Sequence, residues 1–213
     1  MGSVKQLFLH GLGQSSDSWE KALSVLDNKE NTMTINLVNL LKGKEATYDN
    51  MYASFSEMCN KSTEQIDLCG LSLGGVLALN YAIDHPDKVH TLVLIAAQYK
   101  MPKMLLRVQN IIFRFIPESK FSEIGFQKTD YIKLCRTMMR LDFSDDLYKI
   151  TNPSLVIYGE KDKANKKASI ELANLLEKGT LNEIRESGHE VNIDAPEALG
   201  ELLLSFYRQS GSI

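Results

Sequence analysis

A rhythm of short apolar runs separated by helical patterns is the feature that most constrains how this chain can fold. Residues 4–9, 33–40, 66–69, 89–97 and 155–158 are predominantly apolar, and residues 180–186 form a weaker sixth run. A strand covered by helices on both faces needs no polar side. Apolar runs without clean alternation therefore point to a mostly parallel sheet inside an α/β architecture. Between the runs, residues 48–59 repeat Met51, Tyr52, Phe55 and Met58 at three- and four-residue spacing, the period of a helix with one buried stripe. A helix over residues 73–83 is expected to stop at His85-Pro86, because a residue before proline disfavours the α region. Ser16 or Asp17 is the expected cap of a helix through Trp19, Ala22, Leu23 and Leu26. Another helix is expected from about 166 to 178, with Ile170, Ala173 and Leu176 as its buried face. Pro196 suits the first position of a last helix through Leu199, Leu202, Leu203 and Phe206.

The rhythm breaks between residues 100 and 150. Met104, Leu105, Val108, Ile111, Ile112 and Phe115 fit one helix, ending at Pro117, and Tyr131, Leu134, Cys135, Met138 and Leu141 fit another. With 213 residues the chain suits one domain. The expected organisation is a single domain over 1–213 with 100–150 as a helical lid inserted over the sheet. A net charge of −3 speaks against a nucleic-acid binder, which needs a basic surplus. Cys59, Cys69 and Cys135 are odd in number and lack metal-ligand spacing, so reduced thiols in a cytoplasmic protein are expected, with Cys69 as core filler. No signal peptide is read at the start, and Gln6 stands where a myristoylation motif needs Ser or Thr. No apolar run approaches the roughly 20 residues that span a bilayer, so stable membrane insertion is not expected. No histidine pair or carboxylate cluster has ligand spacing, and the glycines from 70 to 75 lack the lysine of a phosphate loop. Neither a metal nor a cofactor is expected.

One turn carries chemistry. Leu68-Cys69-Gly70-Leu71-Ser72-Leu73-Gly74-Gly75 places a Gly-x-Ser-x-Gly pentad between a strand and a helix. A serine there projects its hydroxyl above the sheet beside a helix N-terminus, whose free N–H groups favour negative charge. Alone it could equally be an ordinary tight turn. A nucleophile needs a base. Of the four histidines, His189 follows the sixth run in a loop and can swing over the sheet edge. His85 precedes a proline and reads as solvated, His90 begins a strand and reads as structural, and His10 precedes Gly11 and reads as positioning the first loop. The base needs an acid to hold its tautomer. Asp162 closes the fifth run in Gly159-Glu160-Lys161-Asp162. It is preferred to Glu160 because it lies further out in the loop, although it could instead cap the following helix. Two backbone N–H groups must then face one point, and those of Leu12 and Leu73 are the candidates.

These segments together resemble the α/β-hydrolase fold superfamily, in its small serine esterase, carboxylesterase-like form. His10-Gly11-Leu12-Gly13 resembles the oxyanion loop of that family, Gly70–Gly75 its nucleophile elbow, and Gly159–Asp162 its acid turn. Ser187-Gly188-His189 with Ala195-Pro196-Glu197 resembles its histidine segment. The order Ser72, Asp162, His189 is the family's order. The resemblance implies about six strands, since relatives often carry two more before the His-Gly strand. Asp194 stands where many relatives have Glu, with no catalytic consequence expected.

What the resemblance implies is hydrolysis of small or medium carboxylic esters through an acyl-serine. Ser72, Asp162 and His189 act as the triad, and the Leu12 and Leu73 N–H groups as the oxyanion hole. The partner is a small-molecule ester, in a monomer or homodimer. Met101, Met104, Met138 and Met139 with Phe113, Phe115, Phe121 and Phe126 could form a pliable apolar wall or simply pack the insertion. Its basic residues, among them Lys100, Lys103, Arg107, Arg114, Lys120, Lys128, Lys133, Arg136 and Arg140, could meet an anionic substrate or a membrane surface, or be solvated. The same fold and triad serve carbon–carbon bond lyases and hydrolases, including one of menaquinone synthesis, cofactor-free perhydrolases, and monoacylglycerol or lipid esterases. A non-catalytic binding protein on this fold is the remaining alternative. A dehalogenase is disfavoured, because that branch carries aspartate at the position of Ser72.

Overall fold

The computed structural model describes residues 4–26, 29–103, 118 and 127–213. Six strands, β1 (Lys5–Leu9), β2 (Thr32–Ile35), β3 (Ile66–Leu71), β4 (Val89–Ile95), β5 (Ser154–Gly159) and β6 (Gly179–Ile184), form one parallel sheet in the order β2-β1-β3-β4-β5-β6. The described helices are α1 (Glu20–Leu23), α2 (Leu37–Leu40), α3 (Tyr48–Asn60), α4 (Leu73–Asp84), α5 (Lys128–Met138), α6 (Lys163–Leu175), α7 (Val191–Asp194) and α8 (Pro196–Ser210). Alternate side chains feed two cores. Leu7, Leu9, Leu68, Leu92 and Leu94 pack under α3, α4, α5 and α6, while Phe8, Cys69, Leu71, Val93 and Ile95 pack against Trp19, Leu199, Leu203 and Tyr207. Two apolar faces per strand explain why the runs show little alternation.

From β1 the chain moves outward to β2, then returns to lay β3 on the opposite side of β1. The loops leaving the C-terminal ends of β1 and β3 therefore diverge. In open α/β sheets that switch point is where a ligand crevice forms. Residues 10–13 and Ser72 lie there.

Local differences from the sequence reading have local causes. The run at 33–40 is half strand: β2 ends at Ile35, where the Asn36 side chain accepts the Val38 N–H at 3.1 Å and opens α2. Ser15, rather than Ser16 or Asp17, caps the first helical turn by accepting the Asp17 N–H at 3.3 Å. Helix α6 begins at Lys163, three residues before the expected 166, because the Asp162 side chain caps it. The buried face of α6 is Asn165, Ser169, Leu172 and Ala173, with Ile170 only half-buried.

The expected helix over Met104, Leu105, Val108, Ile111, Ile112 and Phe115 lies outside the described residues, as do Phe113, Phe121, Phe126, Arg107, Arg114 and Lys120. The second expected helix is α5. It buries Tyr131, Leu134, Cys135 and Met138 in the larger core, so these residues pack α5 onto the fold. Thr137 Oγ1 of α5 accepts the Tyr48 N–H at 2.9 Å, and Lys133–Glu45 and Arg140–Asp49 ion pairs flank that contact. Residues 99–101 and 141–143 face each other as a neck. The Met101 N–H donates to the Leu141 carbonyl at 3.1 Å and the Phe143 N–H to the Tyr99 carbonyl at 2.9 Å. Among the described residues no helix is long and apolar enough to cross a membrane.

Candidate active site

Ser72 stands between β3 and α4 with φ 52° and ψ −114°, a conformation that a residue with a Cβ rarely holds. Its neighbours enforce it. The Ser72 N–H donates to the Ile95 carbonyl at 2.8 Å, and the Ser72 carbonyl accepts the Val76 N–H at 2.9 Å. The glycines on either side make the turn possible. A Cβ on Gly70 would stand 2.3 Å from the Gly74 carbonyl, and one on Gly74 would stand 2.3 Å from the Leu9 carbonyl. Strand β1, the turn and α4 are thus in backbone contact, and the half-buried Ser72 side chain is presented at the switch point.

The loop after β1 lies against that serine: a Cβ on Gly11 would approach Ser72 Cβ to 3.5 Å. His10 shapes the loop from beneath. Its Nε2 accepts the Leu37 N–H at 3.0 Å, so the proton sits on Nδ1, which donates to the Gly11 carbonyl at 2.8 Å. Burial pushes its pKa below the ordinary value, against the pull of the Gly11 carbonyl and Asn36. His10 is therefore a neutral strut, as the sequence reading has it. Ser72 donates its own N–H to Ile95. Among the described residues, by contrast, neither the Leu12 nor the Leu73 N–H is engaged by a backbone acceptor. Both N–H groups belong to segments that meet at Ser72. The Tyr131 hydroxyl of α5 comes within 3.4 Å of where a Cβ on Gly13 would stand, which brings α5 to the same loop.

Asp162 and His189 meet. His189 Nδ1 donates to Asp162 Oδ2 at 2.9 Å, which leaves Nε2 as the unprotonated ring nitrogen of the neutral form. The imidazole is 43% exposed and the carboxylate 5% exposed, so a buried carboxylate holds a solvent-reachable imidazole. Burial pushes the Asp162 carboxyl up, but hydrogen bonds from His189 and Asn165 outweigh it and hold the pKa below the usual value. Asp162 also caps α6, its Oδ1 accepting the Asn165 N–H at 3.3 Å, so the cap and the contact with His189 coexist on one carboxylate. Glu160, the competing acid, turns away and accepts the Glu186 N–H at 2.8 Å.

The loop that carries His189 is held at several points. The Lys161 N–H donates to the Ser187 carbonyl at 2.9 Å and Ser187 Oγ to the Ile184 carbonyl at 2.9 Å. The Gly188 N–H donates to Asp194 Oδ2 at 2.7 Å. The sequence reading expected no catalytic consequence of Asp194 in place of Glu; structurally its carboxylate fixes the residue before His189. Gln14 and Asn192 were missed altogether. Gln14 accepts the Gly11 N–H at 3.2 Å and donates to Glu190 at 3.2 Å, so it ties the loop beside Ser72 to the residue after His189. A glutamine three residues past the His10-Gly11 pair was the sequence trace of that tie.

The other histidines serve structure. His90 Nδ1 lies 3.0 Å from the buried Asp67 carboxylate. His85, read as solvated, is half-buried, with Nε2 3.3 Å from Ser56 Oγ and its ring 4.7 Å from that of Tyr81. The three cysteines are buried free thiols; burial pushes Cys59 and Cys135 up to about 12 and Cys69 well above the usual range, so none is a ready nucleophile. Among the described residues no group of three or more His, Cys, Asp or Glu could hold a metal ion.

Comparison with known proteins bears on the fold. A family model described as the alpha/beta hydrolase fold matches residues 7–124, a span that includes Ser72 but neither Asp162 nor His189. A pimeloyl-[acyl-carrier protein] methyl ester esterase of Wigglesworthia glossinidia brevipalpis is 32% identical over 100 residues, covering 45% of this chain and 37% of the relative. The biotin biosynthesis bifunctional protein BioHC of Teredinibacter turnerae is 22% identical over 252 residues, covering 95% of this chain and 44% of the relative. The matches thus span less than half the length of either curated relative. Among solved structures, the enol-lactonase of Burkholderia xenovorans LB400 superposes with a TM-score of 0.82 at 17% identity, covering 97% of this chain and 92% of that one. MenH of S. aureus superposes with a TM-score of 0.81 at 16% identity, covering 99% and 96%. A parallel six-stranded sheet in this order, a strained serine at its switch point and a family match over more than half of the residues lead to one assignment: the chain belongs to the α/β-hydrolase fold family.

Proposed function

We propose that the protein is a serine hydrolase of carboxylic esters in which Ser72 is the nucleophile, His189 the general base and Asp162 the acid that orients it. The observation that carries this reading is the Asp162 Oδ2 to His189 Nδ1 hydrogen bond of 2.9 Å, in a loop tied through Gln14 to the segment beside Ser72. In the proposed reaction His189 Nε2 takes the Ser72 proton as Oγ attacks the ester carbonyl. The resulting oxyanion is held by the Leu12 and Leu73 N–H groups, the latter at the N-terminus of α4. Collapse expels the alcohol, protonated by His189, and leaves an acyl-serine. Water, deprotonated by His189, then attacks the acyl-serine and releases the acid. Asp162 remains ionised throughout and stabilises the imidazolium. Residues 100–150, which leave and rejoin the sheet through the neck, are read as the cover of this site within a single domain over 1–213. Buried free thiols fit a cytoplasmic location.

Among ester classes, the methyl ester of a carrier-linked acyl chain enters through the name of the relative that matches 45% of this chain. The deciding experiment is a panel of p-nitrophenyl esters of increasing acyl length, together with acyl methyl esters and thioesters, run on wild type and Ser72→Ala. Turnover that disappears in Ser72→Ala is the expected result, and undiminished turnover in a clean Ser72→Ala preparation would sink the proposal. Acyl-length dependence then separates a short pocket from a lipid-sized one.

A further inference from the structure

Behind Asp162 stands a second side chain that the capping of α6 does not require. Helix α6 is capped by the Asn165 backbone N–H, which donates to Asp162 Oδ1 at 3.3 Å. The Asn165 side chain adds to this: Nδ2 donates to Oδ1 at 2.9 Å and to Oδ2 at 2.8 Å. The amide orientation follows from chemistry, since an ionised carboxylate accepts only donors and the amide oxygen cannot face it. That oxygen points the other way and accepts from Gln98 Nε2 at 2.6 Å. Asn165 is buried on the face of α6 that also carries Ser169, Leu172 and Ala173.

Gln98 is anchored in turn. It precedes Tyr99, whose carbonyl accepts the Phe143 N–H in the neck and whose hydroxyl donates to Glu171 at 3.1 Å. A continuous line therefore runs from the neck through Gln98 and Asn165 to the carboxylate, with His189 Nδ1 3.1 Å from Asn165 Nδ2 as both donate to Oδ2. Two donors converging on one oxygen leave the carboxylate little freedom to rotate, and they share its negative charge between them.

We infer that Asn165, held by Gln98, is a positioning residue for the general base: it fixes the rotation of Asp162 and sets how much of the carboxylate charge reaches His189. This rests on the reading of Ser72, His189 and Asp162 given above. Without Nδ2, Asp162 turns more freely and the proton-accepting orientation of His189 is populated less. The full carboxylate charge then falls on the imidazole, which keeps its proton to higher pH. An aspartate at 165 adds a second anion and moves the same balance further in the same direction.

The test is the rate of covalent labelling of Ser72 by a fluorophosphonate probe between pH 5 and 9, which needs no knowledge of the natural substrate. Wild type, Ser72→Ala, Asn165→Ala, Asn165→Asp and Gln98→Leu are compared, with thermal unfolding followed in parallel. Wild type labels with a rate that rises with pH, and Ser72→Ala does not label. Asn165→Ala labels between about 10- and 100-fold more slowly at the plateau, with the midpoint of its acid limb displaced to higher pH. Asn165→Asp is displaced further. Gln98→Leu, which touches neither Asp162 nor His189, is displaced in the same direction by less and keeps the inference testable if substitutions at 165 fail to fold. Variants that lose thermal stability while the acid limb stays at the wild-type pH, or moves to lower pH, reduce Asn165 to a packing residue and overturn the inference. A wild-type protein that fails to label at Ser72 overturns the underlying reading of the nucleophile, and the inference with it.

Discussion

Gln14 and Asn192 meet amide to amide, Gln14 Nε2 donating to Asn192 Oδ1 at 3.1 Å and Asn192 Nδ2 donating to Gln14 Oε1 at 3.2 Å. Both are buried, and 178 positions of chain separate them. The pair bolts the loop after β1, which lies beside Ser72, to α7, which follows His189. In the proposed reaction the oxyanion donor of the first loop and the base of the second must hold one geometry, and this pair, with the Gln14 to Glu190 hydrogen bond, links the two loops.

Replacing Gln14 by Leu leaves the buried Asn192 Oδ1 and the Gly11 N–H without the partner that Gln14 supplies, while Asn192 Nδ2 keeps Ser18. The expected loss is about 1–3 kcal/mol of stability for an orphaned buried polar group. It is read as a lower urea midpoint with an unchanged slope. Ester turnover falls as well, because the two loops no longer share a support. A Gln14→Leu protein with the wild-type midpoint contradicts the assignment.

Ser72 holds a backbone conformation that glycine adopts freely, and strain of this kind costs about 1–3 kcal/mol. Ser72→Gly is expected to raise the melting temperature by several degrees while removing all labelling at position 72. Ser72→Ala keeps a Cβ at the same φ, and so loses the chemistry without the stabilisation. Equal melting temperatures for the two variants would show that the turn stores no strain.

Gly74 has no room for a side chain, since a Cβ would stand 2.3 Å from the Leu9 carbonyl, a backbone atom of β1. Gly74→Ala must therefore push α4 away from the sheet at the serine turn. A loss of at least about 1–3 kcal/mol is expected, together with a collapse of ester turnover. Retention of both activity and the wild-type unfolding midpoint argues against the close approach of β1 and α4.

His10 is neutral and buried, and its folded-state pKa is depressed below the ordinary 6.5. Between that depressed value and 6.5 the unfolded chain binds the proton that the folded chain refuses, so stability rises with pH across this window and falls as acid is added. The dependence cannot exceed about 1.4 kcal/mol per pH unit for one group. In His10→Gln that contribution to the slope of unfolding free energy against pH should vanish. A slope unchanged by the substitution would place the titration elsewhere.

How legible the molecule was depends on the range of the interactions involved. The sheet could be read because burial on both faces forces apolar runs, and helices α3, α4 and α8 because their stripes or stops are written in adjacent residues. The serine turn was legible for the same reason: strand, pentad and helix are contiguous. Short-range competition was harder to see, as where Asn36 caps α2 and ends β2. The run at 66–69 hid a different feature. Asp67 is fully buried within it, accepting from Thr91 Oγ1 at 2.6 Å and lying 3.0 Å from His90 Nδ1, partners that only the pairing of β3 with β4 supplies.

By itself, then, the sequence determined the alternating architecture, the place of Ser72 on a sharp turn, and the order in which a serine, an aspartate and a histidine follow the third, fifth and sixth strands. Each of these is set by neighbours within a few residues. Only the tertiary structure decided that Asp162 rather than Glu160 faces His189, that one carboxylate both caps α6 and holds the imidazole, and that Gln14, Asn165, Asn192 and Asp194 brace the groups around it. These pairings depend on where strand ends far apart in the chain come to lie, and hydrogen-bond direction over 3 Å is set by that placement and leaves no periodic trace in the sequence.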